Sequence, residues 1–310
     1  MGDLVKHRIA NKFREIVSGS PDGKPHWIAQ IEAPGDAGLF GAESVVWEVH
    51  SSVATLVGGV RALLLQAAHP AALAGVAEHS RYESDPLGRL AGTSRWLTIT
   101  TFASTQSIAK EAARVNAMHE KVVGKFESKD GGEKPYQAKD PRYLLWVHCA
   151  FTESFLVAHQ IFGARLILHS PFAAGAAKAL SHHDYADRYI AEWSKSALAL
   201  GLTKAPQSAD ELAGEMRRFV SEELCSSEQS RRVVKFILRP PLGRGPLWFY
   251  KFLAKSAIAT LSDAQREVLE LKQVSPLWIP ATRRLLALLR WTLGEKSPSH
   301  QAALARINAF

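Results

Sequence analysis

The chain has 310 residues, of which 46% are hydrophobic and 22% are charged, a balance that is typical of a water-soluble globular protein. Two cysteines are too few for a disulfide framework, and no uncharged run reaches the roughly 18 residues of a membrane-spanning helix. No zinc-finger, RNP or Gly-x-x-Gly signature accompanies the basic clusters behind the net charge of +8, which argues against a nucleic-acid partner.

The first 35 residues predict an N-terminal arm of short pieces that wraps the core. Turn-forming pairs at Pro21–Asp22 and Pro34–Gly35 interrupt this region. Charged, amphipathic sequence follows Met1 where a secretory signal would have an apolar segment, so we expect a cytoplasmic protein. Residues 36–310 predict one all-α domain, a single globular unit of many helices.

Amphipathic periodicity and helix-start signals predict that most of this domain is helical. The capping-box pattern, serine followed three residues later by Glu or Gln, occurs at Ser208 and Ser262, and Ser170–Pro171 predicts another helix start. Residues 126–139 form a hydrophilic break and predict an exposed loop. The predicted helices cover residues 44–68, 87–102, 104–123, 141–168, 183–200, 209–223, 247–260, 263–273 and 277–292.

One predicted helix places a histidine inside an apolar stretch. Asp140 is a good N-cap, and Pro141 suits the first helical position. A buried neutral imidazole at His148 needs partners for its ring nitrogens, and the candidates are hydrogen bonds within the core and a metal ion. The side chains that share one helical face at about 100° per residue are Leu144, His148, Thr152, Phe155 and His159.

A set of short motifs occurs in one order along the chain. These are Gln66-Ala-Ala-His69-Pro70, His79-Ser80, Asp85-Pro86, Arg114 to His119, Gly124, Tyr136-x-Ala-x-Asp140-Pro141 and Trp146-Val147-His148. The ordered set resembles the bacterial and fungal family that contains latex clearing protein, the rubber oxygenase, and the MpaB-type oxygenases. The resemblance covers about residues 36–270, and no single motif in it is decisive.

The resemblance implies an all-helical fold that holds haem b between helices and uses dioxygen to cleave isoprenoid double bonds. By its position in the Trp-Val-His element, His148 resembles the proximal haem ligand. Arg114 resembles an arginine that the rubber-cleaving members keep close to the haem. Those members have a lysine and a threonine where this chain has Ala117 and Met118, which argues against rubber itself as the substrate.

Other classes of site lack support in the sequence. No histidine has a glutamate three residues before it, as diiron bundles require, and His-Glu-x-x-His and Cys-x-x-Cys-His motifs are absent. The chain also lacks the phosphate-binding Gly-x-x-x-x-Gly-Lys motif and the Gly-x-Ser-x-Gly elbow. A haem held without covalent attachment needs one well-placed imidazole and an apolar slot, which His148 and its helix offer.

The predicted site combines the resemblance with the helical face. His148 is the predicted iron ligand. Arg114 is predicted to pair with a haem propionate or a bound oxygen species, because either would need a cation. Thr152 and Phe155 are predicted to contact the haem, since they share the face of His148.

Two more histidines are candidates for the distal side, as hydrogen-bond donor to oxygen or as sixth ligand. His69 precedes Pro70 and predicts a bend between helices, for which a capping or packing role is an equal alternative. His119 follows Met118, which is expected to fill a gap in the core. Glu153 lies inside the oily helix and is expected to pair with an arginine or to line a wet pocket.

Three functions remain open. The first is a haem b-dependent oxygenase that acts on an apolar small molecule with dioxygen. The second is a haem-binding or electron-transfer protein without turnover, and the third is a cofactor-free helical binding module. Residues 238–252 mix basic and aromatic side chains, as interfacial membrane segments do; a loop packed on the body through Trp248 and Phe249 is favoured over a weak peripheral membrane contact.

Overall fold

The computed structural model describes residues 24–79, 86–163, 182–294 and 296–309 and confirms the all-α prediction. Its first seven helices are α1 (Ile28–Glu32), α2 (Val45–Ser51), α3 (Thr55–Ala68), α4 (Pro70–His79), α5 (Pro86–Phe102), α6 (Thr105–His119) and α7 (Pro141–Phe162). The next seven are α8 (His182–Ala199), α9 (Ala209–Glu222), α10 (Glu228–Leu238), α11 (Arg244–Ala259), α12 (Asp263–Val268), α13 (Trp278–Leu293) and α14 (Pro298–Asn308). Within the described residues the strands are β1 (Val123–Glu127) and β2 (Glu133–Gln137), which pair antiparallel.

Serine side chains begin many of these helices. Ser262 forms the full capping box with Gln265, as predicted. At Ser208 the structure shows one half of the predicted box, because the Glu211 carboxylate accepts from the N–H of Gln207 instead. The serine N-caps that accept a hydrogen bond from the backbone three residues on are Ser44, Ser104, Ser208, Ser227, Ser262 and Ser297.

Helices α3 and α7 form the centre of the core and share the largest contact of the described helix pairs. Gly58 permits this approach. A Cβ atom at Gly58 would lie 2.7 Å from Cδ1 of Phe155 and 3.1 Å from the carbonyl oxygen of Ser154. Helices α10 and α11 pack on α3, while α8 and α9 pack on α7. The central helix α7 is therefore enclosed on several sides, which explains why so many of its side chains are buried.

Several predicted boundaries were wrong. The loop predicted at 126–139 takes part in the β1–β2 hairpin. Tyr136, the one buried residue of its two strands, donates a hydrogen bond to Glu78 of α4 at 2.7 Å. The helix predicted over 141–168 ends at Phe162, where Gly163 is extended. The helix predicted over 263–273 ends at Val268, near the left-handed residue Glu270. The end after Phe162 carries a local stop signal in Gly163, whereas Glu270 gives none.

The predicted N-terminal arm is described from residue 24 onward. This part holds α1, which packs against α14. Residues 1–23 of the arm and the helix start predicted at Ser170–Pro171 lie outside the described residues. Among the described helices, none is by itself both long and apolar enough to cross a membrane, although α2 and α3, bent by 90° at their break, meet that test together by length and composition.

Candidate functional site

The candidate site is built on one face of α7. The helix begins as predicted, because the Asp140 carboxylate accepts a hydrogen bond from the N–H of Arg142 at 2.8 Å and Pro141 opens the first turn. It then runs for 22 residues through the core. The side chains predicted to share one face are all buried, namely Leu144, His148, Thr152, Phe155 and His159.

His148 lies on this face, and its imidazole is neutral. Burial lowers its pKa from the usual 6.5 to about 4, because a charged ring would lose its hydration. A neutral imidazole carries one nitrogen lone pair, which is the group that binds metal ions. At neutral pH His148 is therefore in the protonation state that a metal ligand requires.

Thr152, one turn further on, does not donate to that lone pair. Its hydroxyl donates to the backbone carbonyl of His148 at 2.7 Å, so its single hydrogen is already used. The distance from Thr152 Oγ1 to His148 Nε2 is 3.5 Å, at the outer limit for a hydrogen bond. In the part of the chain that the structure describes, this is the closest polar contact of the His148 ring.

His50 contacts the next turn of the same face, and the sequence did not predict it as a residue of the site. Phe155 packs against His50 of α2, with ring centroids 5.4 Å apart. His50 Nδ1 lies 2.8 Å from Thr101 Oγ1, and Nε2 lies 3.0 Å from the hydroxyl of Tyr189. Thr101 donates its hydrogen to the Leu97 carbonyl. Nδ1 must therefore donate to Thr101, and Tyr189 must donate to Nε2.

This hydrogen-bond chain uses both ring nitrogens of His50. Burial, with a smaller effect from the neighbouring His159, lowers the pKa of His50 to about 3. A neutral ring with both nitrogens satisfied is a core histidine and not an available metal ligand. His50 and His148 are thus two buried neutral histidines near one helix face that differ in whether a lone pair is committed.

His159 lies on the same face, eleven residues and about 16 Å along the helix axis from His148. Its ring stacks on Tyr185 with centroids 5.9 Å apart, and its Nε2 lies 3.6 Å from the Glu48 carboxylate. A Cβ at Gly163 would lie 3.0 Å from His159 Nδ1, so this glycine leaves room for the ring. The separation of three helical turns prevents His159 from joining a site at His148.

Arg114 is held by a buried carboxylate on its own helix. Glu111 accepts from Arg114 Nε at 3.0 Å and from its Nη2 at 2.5 Å, and it also accepts from Nε of Arg95 on α5 at 3.0 Å. This hydrogen bonding raises the pKa of Arg114, so its exposed guanidinium stays charged. Two cations share one anion, which leaves the cluster with a net positive charge.

His69 forms the predicted bend but lies behind α7 as seen from His148. It stands in extended conformation between α3 and Pro70, the first residue of α4. Its Nε2 lies 3.1 Å from a Glu223 oxygen, and its ring centroid is 5.7 Å from that of Trp146. Trp146 is about 200° from His148 around the helix. These contacts favour the packing role over the distal role for His69.

The remaining predicted residues are two near the surface at the end of α6 and one partly buried carboxylate on α7. His119 is the last residue of α6 and is partly exposed. Met118 beside it is 43% exposed, so the prediction that it fills a core gap was wrong. Glu153 pairs as expected, because the buried Arg61 donates to it at 2.9 Å and the amide of Gln265 donates to it at 2.9 Å.

The structure brings His148, Thr152 and Phe155 together on α7 and places Arg114 on α6, a helix that packs, like α7, against α8. Glu111 was not predicted, although it stands three residues before Arg114, the spacing of a helical ion pair. No group of three or more His, Cys, Asp or Glu side chains within the described residues is arranged to hold a metal ion. A metal at His148 would therefore have at most one further ligand from these described side chains.

Comparison with protein families gives a match over most of the chain. The family model described as "ER-bound oxygenase mpaB/B'/Rubber oxygenase, catalytic domain" matches residues 47–295, about four fifths of the sequence. The matched range contains His148, Arg114, His69 and His119. No curated protein and no solved structure gives a significant match.

Proposed function

The chain belongs to the family of mpaB and rubber oxygenase catalytic domains, and from this membership we propose that it is a haem b-dependent oxygenase. The membership supports an oxygenase that uses dioxygen and a small-molecule substrate. We further propose that His148 is the proximal ligand of the haem iron. The observation that carries this assignment is a buried, neutral imidazole whose lone pair receives no hydrogen from Thr152, its nearest polar neighbour among the described residues.

The residues around His148 fit a haem. Haem iron needs a single protein ligand, so one imidazole without a surrounding cluster of carboxylates or thiolates suits it. Leu144 and Phe155 offer apolar contact on the same buried face, and the Thr152 hydroxyl is satisfied by its own helix. When bound, haem supplies the electron-transfer and dioxygen chemistry that side chains lack.

His148 serves such a site through its low pKa. Protons compete with metal ions for an imidazole lone pair. Because burial lowers the pKa of His148 to about 4, its nitrogen stays unprotonated at any pH near neutrality. The ring is also fixed within α7, which limits the orientations in which Nε2 can be presented.

Arg114 supplies positive charge in this proposal. Glu111 engages Nε and Nη2 of Arg114, which leaves the Nη1 group for an anion such as a haem propionate. Arg95 also binds Glu111, so the carboxylate is shared and does not cancel the charge of both arginines. Glu111 then acts as a positioning residue that fixes the direction of the Arg114 guanidinium.

The other two histidines receive different roles. We assign His69 to the fold, since it bonds to Glu223 and packs on Trp146 behind α7. His119, at the end of α6, remains the proposed distal residue. The exposed Met118 stands where rubber-cleaving relatives have a polar residue, so we propose an apolar substrate other than rubber.

The test compares His148→Ala with His159→Ala. Both histidines are buried on the same face of α7, so the two substitutions remove identical side chains from similar surroundings. Protein expressed with a haem precursor is measured by absorption spectroscopy and pyridine haemochrome assay. We expect about one haem b per chain in the wild type, retained in His159→Ala and lost in His148→Ala.

Thermal melts of both variants separate loss of the ligand from loss of the fold. A folded but colourless wild type would rule out the haem assignment. Equal loss of haem in the two variants would mean that any damage to the core releases it, and would overturn His148 as the ligand. A six-coordinate spectrum that becomes five-coordinate in His119→Ala, without substrate turnover, would instead favour an electron-transfer protein.

A further inference from the structure

Two segments of the C-terminal half contain basic residues and no acidic ones. Residues 229–262 hold seven Lys and Arg residues and residues 271–294 hold four, and neither segment contains Asp or Glu. Together they account for 11 of the 38 Lys and Arg residues and none of the 30 Asp and Glu residues, so the rest of the chain has a net charge of −3. The excess positive charge is thus confined to these two segments.

The two segments meet in the structure through α11 and α13, which pack against each other. The hydroxyls of Ser256 and Thr282 lie 2.8 Å apart and fix this contact. Three aromatic rings also lie in a row from one helix to the other. The ring centroid of Phe252 is 4.8 Å from that of Trp248 and 5.3 Å from that of Trp278. The two basic segments therefore lie next to each other in the fold.

The two adjoining segments expose large apolar side chains. Eight large hydrophobic residues are exposed among those the structure describes, and five of them lie here with exposures of 37–73%. Trp248 is one of them, whereas Phe249 is partly buried against the core, so the predicted packing on the body holds for Phe249 and not for Trp248. Clusters of exposed apolar side chains mark interaction sites. The five residues, named here the α11–α13 surface, are Leu247, Trp248, Leu277, Leu288 and Trp291.

Helix α13 has an apolar stripe on each of two sides. Thr282, Leu286 and Leu289 are buried. The residues of α13 that belong to the α11–α13 surface share the other side at about 100° per residue, and the exposed Arg284 lies among them. From Leu277 to Trp291 this outer stripe extends about 21 Å. A helix that served only the core would need the first stripe alone.

We propose that the α11–α13 surface docks on an anionic lipid membrane. Tryptophan and leucine partition into the interfacial region of a bilayer, while Arg and Lys are attracted by anionic headgroups. A nucleic acid would use the positive charge but not the exposed leucines. A second copy of the chain would bring two basic surfaces together, which is unfavourable. The lipid surface is the one partner that matches both the charge and the apolar stripe.

Vesicle flotation tests the proposal with the full chain. We expect the wild type to float with phosphatidylcholine vesicles that contain phosphatidylserine and not with phosphatidylcholine alone. Leu288→Ser should reduce the bound fraction, while Leu198→Ser should not, because Leu198 is similarly exposed (51% against 59%) but lies on α8. Arg284→Gln should weaken binding roughly fivefold, the effect of one basic residue near an anionic surface.

Circular dichroism melts of each variant confirm that its fold is retained. The proposal fails if the wild type does not float with anionic vesicles, or if Leu288→Ser and Trp291→Ser float as well as Leu198→Ser does. Dimers that light scattering detects in the wild type and not in Leu288→Ser would assign the surface to a second copy. Binding of single-stranded nucleic acid that is lost in Trp291→Ser would also overturn the lipid assignment.

Discussion

Replacing Gly58 with alanine tests how closely α3 and α7 pack. The new Cβ would lie 2.7 Å from Phe155 Cδ1 and 3.1 Å from the Ser154 carbonyl oxygen, and the carbonyl is backbone that cannot rotate away. Overpacking of this kind costs about 1–3 kcal/mol, whereas alanine gains about 1 kcal/mol over glycine in a helix interior. We expect the free energy of unfolding to fall by up to about 2 kcal/mol.

Gly59→Ala is the matched control in the same helix. Among the described residues, no heavy atom beyond its chain neighbours and its own helix backbone lies within 4 Å of a Cβ at Gly59, so the propensity gain should raise the free energy of unfolding by about 1 kcal/mol. Urea and thermal unfolding followed by circular dichroism measure both variants, and 1 kcal/mol corresponds to roughly 2–4 °C in a domain of this size. Equal stabilisation by both alanines would refute close packing at Gly58.

The other predictions concern buried charge and pH. Arg61→Met should lower the free energy of unfolding by about 3 kcal/mol, because it leaves the Glu153 carboxylate and its partner Gln265 without the cation; an unchanged urea midpoint would contradict this. Acid should destabilise the haem-free protein, since His50 and His148 have pKa values of about 3 and 4 when folded against 6.5 when unfolded. The unfolded chain therefore binds more protons below pH 6.5, which costs about 2 kcal/mol for each residue at about pH 5. A urea midpoint that stays constant between neutral pH and pH 5 would show that the two rings are not buried.

The helices were largely predictable because their starts depend on local chemistry. Ser262 with Gln265 and Asp140 with Pro141 specify a helix start within four residues of sequence, and both starts are present. The β1–β2 hairpin was not predictable in the same way. Tyr136 is the one buried side chain of the two strands. The sequence therefore lacks the alternation of apolar and polar residues that predicts strands.

The candidate site was predictable only as far as one helix. His148 could be found because an apolar helix places it among buried neighbours. The family resemblance suggested its proposed role as haem ligand. The ring nitrogens of His50, by contrast, are satisfied by residues 51 and 139 positions away, which no local pattern shows. His69 was identified correctly as a bend, but the bend does not reveal which side of α7 it occupies.

Gln265 makes hydrogen bonds both within its own helix cap and with residues far away in the sequence. Its Oε1 accepts from the N–H of Ser262, three residues away, and from Arg61, 204 residues away. Helix turns form in about a microsecond or less, whereas contacts between remote segments wait for a long loop to close. The cap can therefore orient the amide early in folding. In the folded protein the same amide also donates to Glu153 at 2.9 Å, so one side chain joins the cap of α12 to the Arg61–Glu153 pair.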